Sequence, residues 1–192
     1  LDEIKRNPDM HISRSIMLWK KAYEISKNMK SQYRLEILGN LGRDYGIKGE
    51  TDKSLKMYTE LLKQATILNK YKYAVIAHVG MGGIYLKKNS TDLALKEVER
   101  AEELSNKIGY LEGLIKSKIL YNSILLNKRE LENIEKNMED LLKLCDEHKL
   151  HEDLGDIYNI LGNVKYFKGH IEKALSNYRK SIVRFNRQGE VI

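Results

Sequence analysis

The sequence predicts an all-α protein, a solenoid of antiparallel helix hairpins, and three observations carry that prediction. A sparse pattern recurs every 40 residues: Gly42, Gly82, Asn122 and Gly162 fall one period apart, as do Ser54, Ala94, Ile134 and Ala174. A fixed period of this length is the signature of stacked helical hairpins. The only proline, Pro8, lies near the N-terminus, so nothing after it forbids a long run of helices. Within one period the apolar residues keep helical spacing, with Leu38, Leu41 and Tyr45, then Leu55, Tyr58 and Leu62, each set at i, i+3 and i+7.

The stretch from Glu36 to Asn69 defines the unit. Its first helix, helix A, is expected to stop at Gly49, which is free to adopt the left-handed conformation of a C-cap. Thr51 or Asp52 is then expected to cap helix B. Applied along the chain, the period gives a partial repeat over 1–30 and repeats over about 31–69, 70–109, 110–149 and 150–189. Each hairpin buries its apolar face only against its neighbours, so 1–192 reads as a single elongated array. Ser15, Ile16, Trp19 and Ala22 read as helix B of an earlier repeat, with Pro8 interrupting what precedes them. At the other end Gly189 lies two periods after Gly109, and Ile182, Val183 and Phe185 lack a polar capping helix. The expectation is a segment of a longer protein, or ends that pair with a second copy as a homo-oligomer.

The unit has a packing logic. A small residue in the middle of helix A lets helix B cross close to its backbone, and a small residue in helix B receives the next hairpin. The third copy departs from this: Tyr121-Asn122 and Leu125 stand in helix A, and Ile134, Met138 and Leu141 in helix B. A hairpin with an altered packing angle is expected there. In the fourth copy Lys165 stands where an aromatic belongs, with Tyr166 beside it.

This arrangement resembles the tetratricopeptide repeat. The family's Leu-Gly pair is matched by Leu41-Gly42 and Leu161-Gly162, with Met81-Gly82 as a variant, and its helix A aromatic by Tyr45 and Tyr85. The helix B trio is matched by Ser54, Tyr58 and Leu61, by Ala94, Val98 and Ala101, and by Ala174, Tyr178 and Ser181. The family's unit is about 34 residues, and the extra length here adds about one and two-thirds helical turns. Long repeats of this kind are similar to those of Pins-type scaffolds, kinesin light chains and bacterial peptide-sensing regulators. The resemblance implies a right-handed superhelix of about nine helices. It also implies a noncatalytic module holding a protein or peptide segment in a concave groove lined by helix A, alone or as the ligand-sensing portion of a larger regulator.

Composition narrows the function further. The net charge of +7 is spread as +5 over residues 1–70, none over 71–150 and +2 over 151–192. The densest basic cluster, Arg179, Lys180, Arg184 and Arg187, reads as a solvated face of the last helix, which ranks nucleic acid below protein as a partner. The single cysteine, Cys145, excludes an internal disulfide framework and fits a reducing compartment. The longest uncharged stretch, Tyr73 to Leu86, spans 14 residues, whereas a membrane helix needs about 20. A cytoplasmic protein with no membrane partner is the expectation.

Candidate binding residues follow from the helix A positions. Gly80 and Gly83 flank the packing glycine Gly82 and are expected to face the groove, where bare backbone lets a ligand approach. Leucine at either is then expected to weaken binding without unfolding the array. A phosphate-loop reading fails, because no Gly-Lys-Ser/Thr follows. Equivalent positions give Asn40, Arg43, Ser123 and Asn163, and one turn earlier Asn159. Asparagine both donates and accepts, which suits a peptide main chain; Arg43 can take a carboxylate through two parallel bonds. Tyr166 offers an aromatic platform. Cys145, His148 and His151 form a metal-like cluster, but the turn expected at His148 to His151 scatters them, so no metal or cofactor is expected. His78 reads as a core residue rather than a base. With no Ser/His/Asp arrangement or paired carboxylates, no enzyme is expected.

Overall fold

The computed structural model describes residues 8–26 and 32–189. Among them lie nine helices and no strand. They are α1 (Pro8–Ile25), α2 (Gln32–Ile47), α3 (Thr51–Ile67), α4 (Tyr71–Lys87), α5 (Thr91–Ile108), α6 (Leu111–Asn127), α7 (Ile134–Glu147), α8 (Leu154–Phe167) and α9 (Ile171–Gly189). The even-numbered helices are the A helices of the four repeats and the odd-numbered ones from α3 onward the B helices. Pro8 is the first residue of α1, where its missing N–H costs no helical bond.

The 40-residue period is sharper in the backbone than in the residue types. A left-handed residue ends each A helix at Gly49, Asn89, Arg129 and Gly169, and the first three B helices, α3, α5 and α7, at Asn69, Gly109 and Lys149. The following N–H returns to the helix in every case, as in Glu50 to Tyr45 O at 2.9 Å and Lys70 to Ala65 O at 2.8 Å. This closure satisfies carbonyls that a helix end leaves orphaned. Only three of the seven stops are glycine, and Arg129 and Lys149 hold the conformation against the steric cost of a Cβ.

The N-terminal caps differ from expectation. The residue before α3 is Glu50, and no side chain caps that helix. Asp52 lies in its first turn and accepts instead from Lys88 Nζ at 2.9 Å. The third B helix also starts late, at Ile134, after Asn133 takes a left-handed φ of 63°. Its packing residues keep their register all the same, since Ile134, Met138, Leu141 and Cys145 are all buried.

Contacts divide the chain into residues 1–113 and 114–192, each considered by itself. The core of the first unit runs from α1 to α5. Ile16 of α1 packs with Ile37, Leu41 and Tyr45 of α2, joined by half-buried Trp19 and Ala22. Leu35, Leu38, Tyr58, Leu61, Ala65, Ala77, Met81 and Ile84 continue that core through α2, α3 and α4. Its centre is the Tyr58 ring. A Cβ built on Gly42 of α2 would lie 2.8 Å from that ring, and one built on Gly80 of α4 only 2.3 Å. Neither position has room for a side chain while the ring stays in place, so one tyrosine fills the space that two glycines leave open. Ser54 strengthens the same contact by donating to Gly42 O at 2.6 Å.

The second unit repeats the device and also replaces it. In α8 a Cβ on Gly162 would meet Tyr178 of α9 at 2.5 Å, and one on Gly155 would meet Phe185 at 2.8 Å. In the third copy Asn122 occupies the glycine position and is buried. Its amide donates to Lys118 O at 2.8 Å and accepts from Asn137 Nδ2 at 3.0 Å. A buried asparagine, bonded on one side to a backbone carbonyl and on the other to half-buried Asn137, thus takes the place of ring against glycine.

Two substitutions separate packing glycines from open ones. Tyr58→Ala should cost about 3–5 kcal/mol in urea unfolding, the usual range for emptying a large aromatic site. Gly83→Ala should instead raise stability by about 0.4–1 kcal/mol by restricting the unfolded chain, because nothing lies within 4 Å of a Cβ built there.

Candidate ligand groove

In the first unit α2 and α4 run side by side, and four contacts fix their register. Tyr73 OH donates to Glu36 Oε1 at 2.9 Å, and Lys87 Nζ to Gly46 O at 2.8 Å. Cβ atoms built on Gly39 and Gly46 would lie 3.9 Å from Ile76 and 2.9 Å from Ile84. Residues 36, 39, 43 and 46 therefore form one stripe along α2, facing residues 73, 76, 80 and 84 of α4. Arg43 is the stripe's exposed cation, with 60% of its side chain accessible.

Arg43 is held rather than loose. Its Nε donates to Asp44 Oδ1 at 3.2 Å, and Asp44, itself buried, accepts from Ser15 Oγ of α1 at 2.5 Å. The guanidinium is thus fixed along one edge, while its terminal nitrogens have no acceptor among the described residues. Sequence reasoning found Arg43 but missed Asp44 and Ser15. The available signal was a charged residue at a buried position of an apolar helix; its partner lies 29 residues away.

The other candidates are placed as follows. Half-buried Asn40 donates to Glu36 O at 3.0 Å, committing one amide hydrogen to its own helix. Gly83 presents open backbone. Gly80 does not: it abuts the Tyr58 ring, so the expectation that Gly80→Leu leaves the array folded is corrected. In the second unit Ser123 donates to Ile119 O at 2.9 Å. Asn163 Nδ2 donates to exposed Asn159 Oδ1 at 2.9 Å, while its own Oδ1 accepts from Tyr178 OH at 2.8 Å. Tyr166 is 56% exposed and stands edge-on to Phe167 at 5.7 Å, with the Arg129 guanidinium 3.8 Å above the Phe167 ring. The structure brings Asn159 and Asn163 into direct contact and sets Arg43 in register with Gly80.

A cavity of about 630 Å³ opens at the end of the α2–α4 seam marked by Glu36 and Tyr73. Tyr73, Ile76, Ile108 and Tyr110 line it, with Lys70 and Lys72 at its edge. Lys72 Nζ lies 5.0 Å from the centre of the Tyr110 ring. Burial and the bond to Glu36 push the Tyr73 phenol up to about 12. No sequence motif announces this cavity, because turn residues and three helices build it.

Two further polar groups are structural. His78 is buried, as expected, and its Nδ1 lies 2.7 Å from Glu97 Oε2 across the α4–α5 hairpin; Arg100 donates to Glu97 Oε1 at 2.8 Å. Burial pushes the Glu97 carboxyl up, yet its bond to His78 and the charge of Arg100 outweigh this and leave it lowered. Lys165, odd by sequence, pairs with Glu135 of α7, as does Lys168 at 3.0 Å. Cys145 is buried, with its thiol pushed up by burial, whereas His148 and His151 are exposed. Among the described residues no group of three or more His, Cys, Asp or Glu is arranged to hold a metal ion. None of their helices is long and apolar enough to cross a membrane. Arg179, Lys180 and Arg184 border a separate cleft with Tyr158; the Arg187 side chain lies outside the described residues.

The Glu135 cluster has a pH signature. Hydrogen bonds from Lys165 and Lys168 bring the Glu135 carboxyl down to about 2 from an ordinary 4.5. Because the folded value is the lower one, its stabilisation is complete above the ordinary value and disappears as pH falls toward the folded value. Thermal melting across that interval should show the chain losing stability, and Glu135→Gln should reduce the slope.

Comparison with known proteins gives the following. The model of the Nup85 nucleoporin family matches residues 91–182, less than half of the chain. No curated protein sequence matches. Among solved structures, RapI in its apo form superposes with a TM-score of 0.75 at 16% identity, covering 94% of this chain and 64% of RapI. BtubC from P. vanneervenii superposes at 0.64 with 17% identity, covering 93% and 72%. The nearly identical TPR-like repeats of a kinesin light chain from Podosopora anserina superpose at 0.60 with 10% identity, covering 98% and 94%. This chain therefore spans just under two thirds of RapI.

Proposed function

From the tetratricopeptide-like helical repeat fold of this chain, we propose that it is a noncatalytic scaffold that binds a protein or peptide segment along the face lined by its A helices. The observation that carries this reading is Arg43, an exposed guanidinium fixed by a buried carboxylate in the seam between two A helices. A cation restrained in this way loses little freedom when it meets a ligand carboxylate. Open backbone at Gly83 and the amides of Asn40, Asn159 and Asn163 supply approach and main-chain bonding, with Ser123 and Tyr166 as further contacts. Gly80 leaves this set, since it serves packing.

A second reading makes the chain the ligand-sensing portion of a larger regulator. The match to RapI, whose chain is longer than this one, supports it. Nucleic acid ranks third, and steep loss of affinity with salt would be its mark.

A pull-down comparing the intact chain with an Asn40→Ala/Arg43→Ala/Asn163→Ala variant tests the scaffold reading. Partners should be retained by the parent and lost by the variant, with circular dichroism unchanged. Retention by both would contradict the reading.

A further inference from the structure

The last helix leaves open a face that earlier B helices have covered. Along α9, Ile171, Leu175, Tyr178, Ile182 and Phe185 fall at i, i+4, i+7, i+11 and i+14, one stripe of a helix. Tyr178 is half-buried and the other four are exposed, Leu175 at 50% and Ile182 at 57%. Three periods earlier, in α3, Tyr58 and Ala65 are buried and Leu55 and Leu62 half-buried. One period earlier, in α7, Met138 and Cys145 are buried and Glu135 and Leu142 half-buried. In both helices the stripe meets the A helix that follows, α4 at Tyr58 and α8 at Glu135. The exposed apolar stripe of α9, in the same register, is therefore a seat for a helix packed as an A helix packs.

The residues of the seat define what that helix carries. The Tyr58 ring is held between Gly42 and Gly80, where built Cβ atoms would lie 2.8 and 2.3 Å from it. The Tyr178 ring has Gly162 on the first side and, among the described residues, no second glycine on the other. After Gly80 comes Met81, whose Sδ lies 4.0 Å from Thr59 Oγ1, so the residue following the ring reaches the residue following the glycine. The equivalent of Thr59 in α9 is Arg179, an exposed cation without a carboxylate partner among the described residues. Lys180 and Arg184 add positive charge, and the single carboxylate of α9, Glu172, stands two helical turns from Arg179. Leu175 replaces the Glu135 that pairs with Lys165 and Lys168, so the occupant is apolar at that end. A second copy fits poorly: two antiparallel α9 helices centred on Tyr178 would set Arg179 against Arg179 of the other copy, and α1 contains no glycine.

We propose that the α9 stripe docks an amphipathic helix of a different protein, with a glycine opposite the Tyr178 ring and a carboxylate on the next residue to meet Arg179. This surface lies on a B helix and goes beyond the A-helix groove, so the two readings stand or fall separately.

The test uses the full chain and fluorescence anisotropy with labelled peptides of the α4 sequence Tyr71–Lys87, stapled because an isolated helix of this length is marginal. The Met81→Glu peptide should bind about tenfold tighter than the Met81→Lys peptide, the contribution of one charge-assisted bond. Gly80→Leu in the peptide should abolish binding. In the chain, Arg179→Glu should reverse the preference toward the Met81→Lys peptide, and Ile182→Asp, at an exposed position, should remove binding with circular dichroism unchanged. Equal affinity for the two peptides, binding that survives Ile182→Asp, or no binding at all would each overturn the proposal. Sedimentation of the chain alone should give a monomer; a dimer abolished by Ile182→Asp would mean that a second copy covers the stripe, and the proposal would fall.

Discussion

The first unit depends on one contact, the Tyr58 ring of α3 set between Gly42 of α2 and Gly80 of α4. A single aromatic side chain filling a gap left by two glycines fixes three helices at once. It sets how close a B helix comes to the two A helices it serves, and so the spacing of the A helices. Deep burial is reflected in the Tyr58 phenol, which is pushed up to about 12. The exposed face inherits the spacing of the A helices that this contact sets.

Other repeats reach the same end by different chemistry. Tyr178 against Gly162 repeats the ring-and-glycine contact. Asn122 and Asn137 replace it with a hydrogen-bonded amide pair. Buried Asn122 is tolerated because its amide finds partners, with Lys118 O as the other. Lys165 in place of an aromatic is matched by Glu135, an ion pair standing where ring packing would be. A solenoid tolerates this variety because each hairpin answers only to its neighbours.

Much of the fold was legible in the residues. The period, the helix A and B stripes and the turn glycines Gly49 and Gly109 follow from local spacing, and local spacing is what a sequence records best. Caps were less legible: Thr51 and Asp52 have capping chemistry, but the helix already begins at Thr51, and the residue at the cap position is Glu50. The candidate site was legible in part. The exposure of Arg43 and the open backbone of Gly83 follow from helical position alone, whereas Asp44, Ser15 and Glu97 have their partners in other helices. Gly80 shows the limit most clearly. A glycine in a helix signals that something comes close, and only the fold reveals that it is the neighbouring Tyr58 ring rather than a ligand.

The functional account joins these points. Packing by bare glycines keeps the A helices close, and a buried carboxylate orients the one exposed arginine of their seam. A turn-built apolar cavity lies two helical turns from it. Its central claim is that the groove ligand meets the A helices and not the B helices. Backbone amide shift mapping during titration with a partner segment recovered in the pull-down tests this most directly. The account predicts perturbations clustered on α2 and α4 around Glu36, Arg43, Ile76 and Gly83; perturbations clustered on α3 and α5 instead would contradict it.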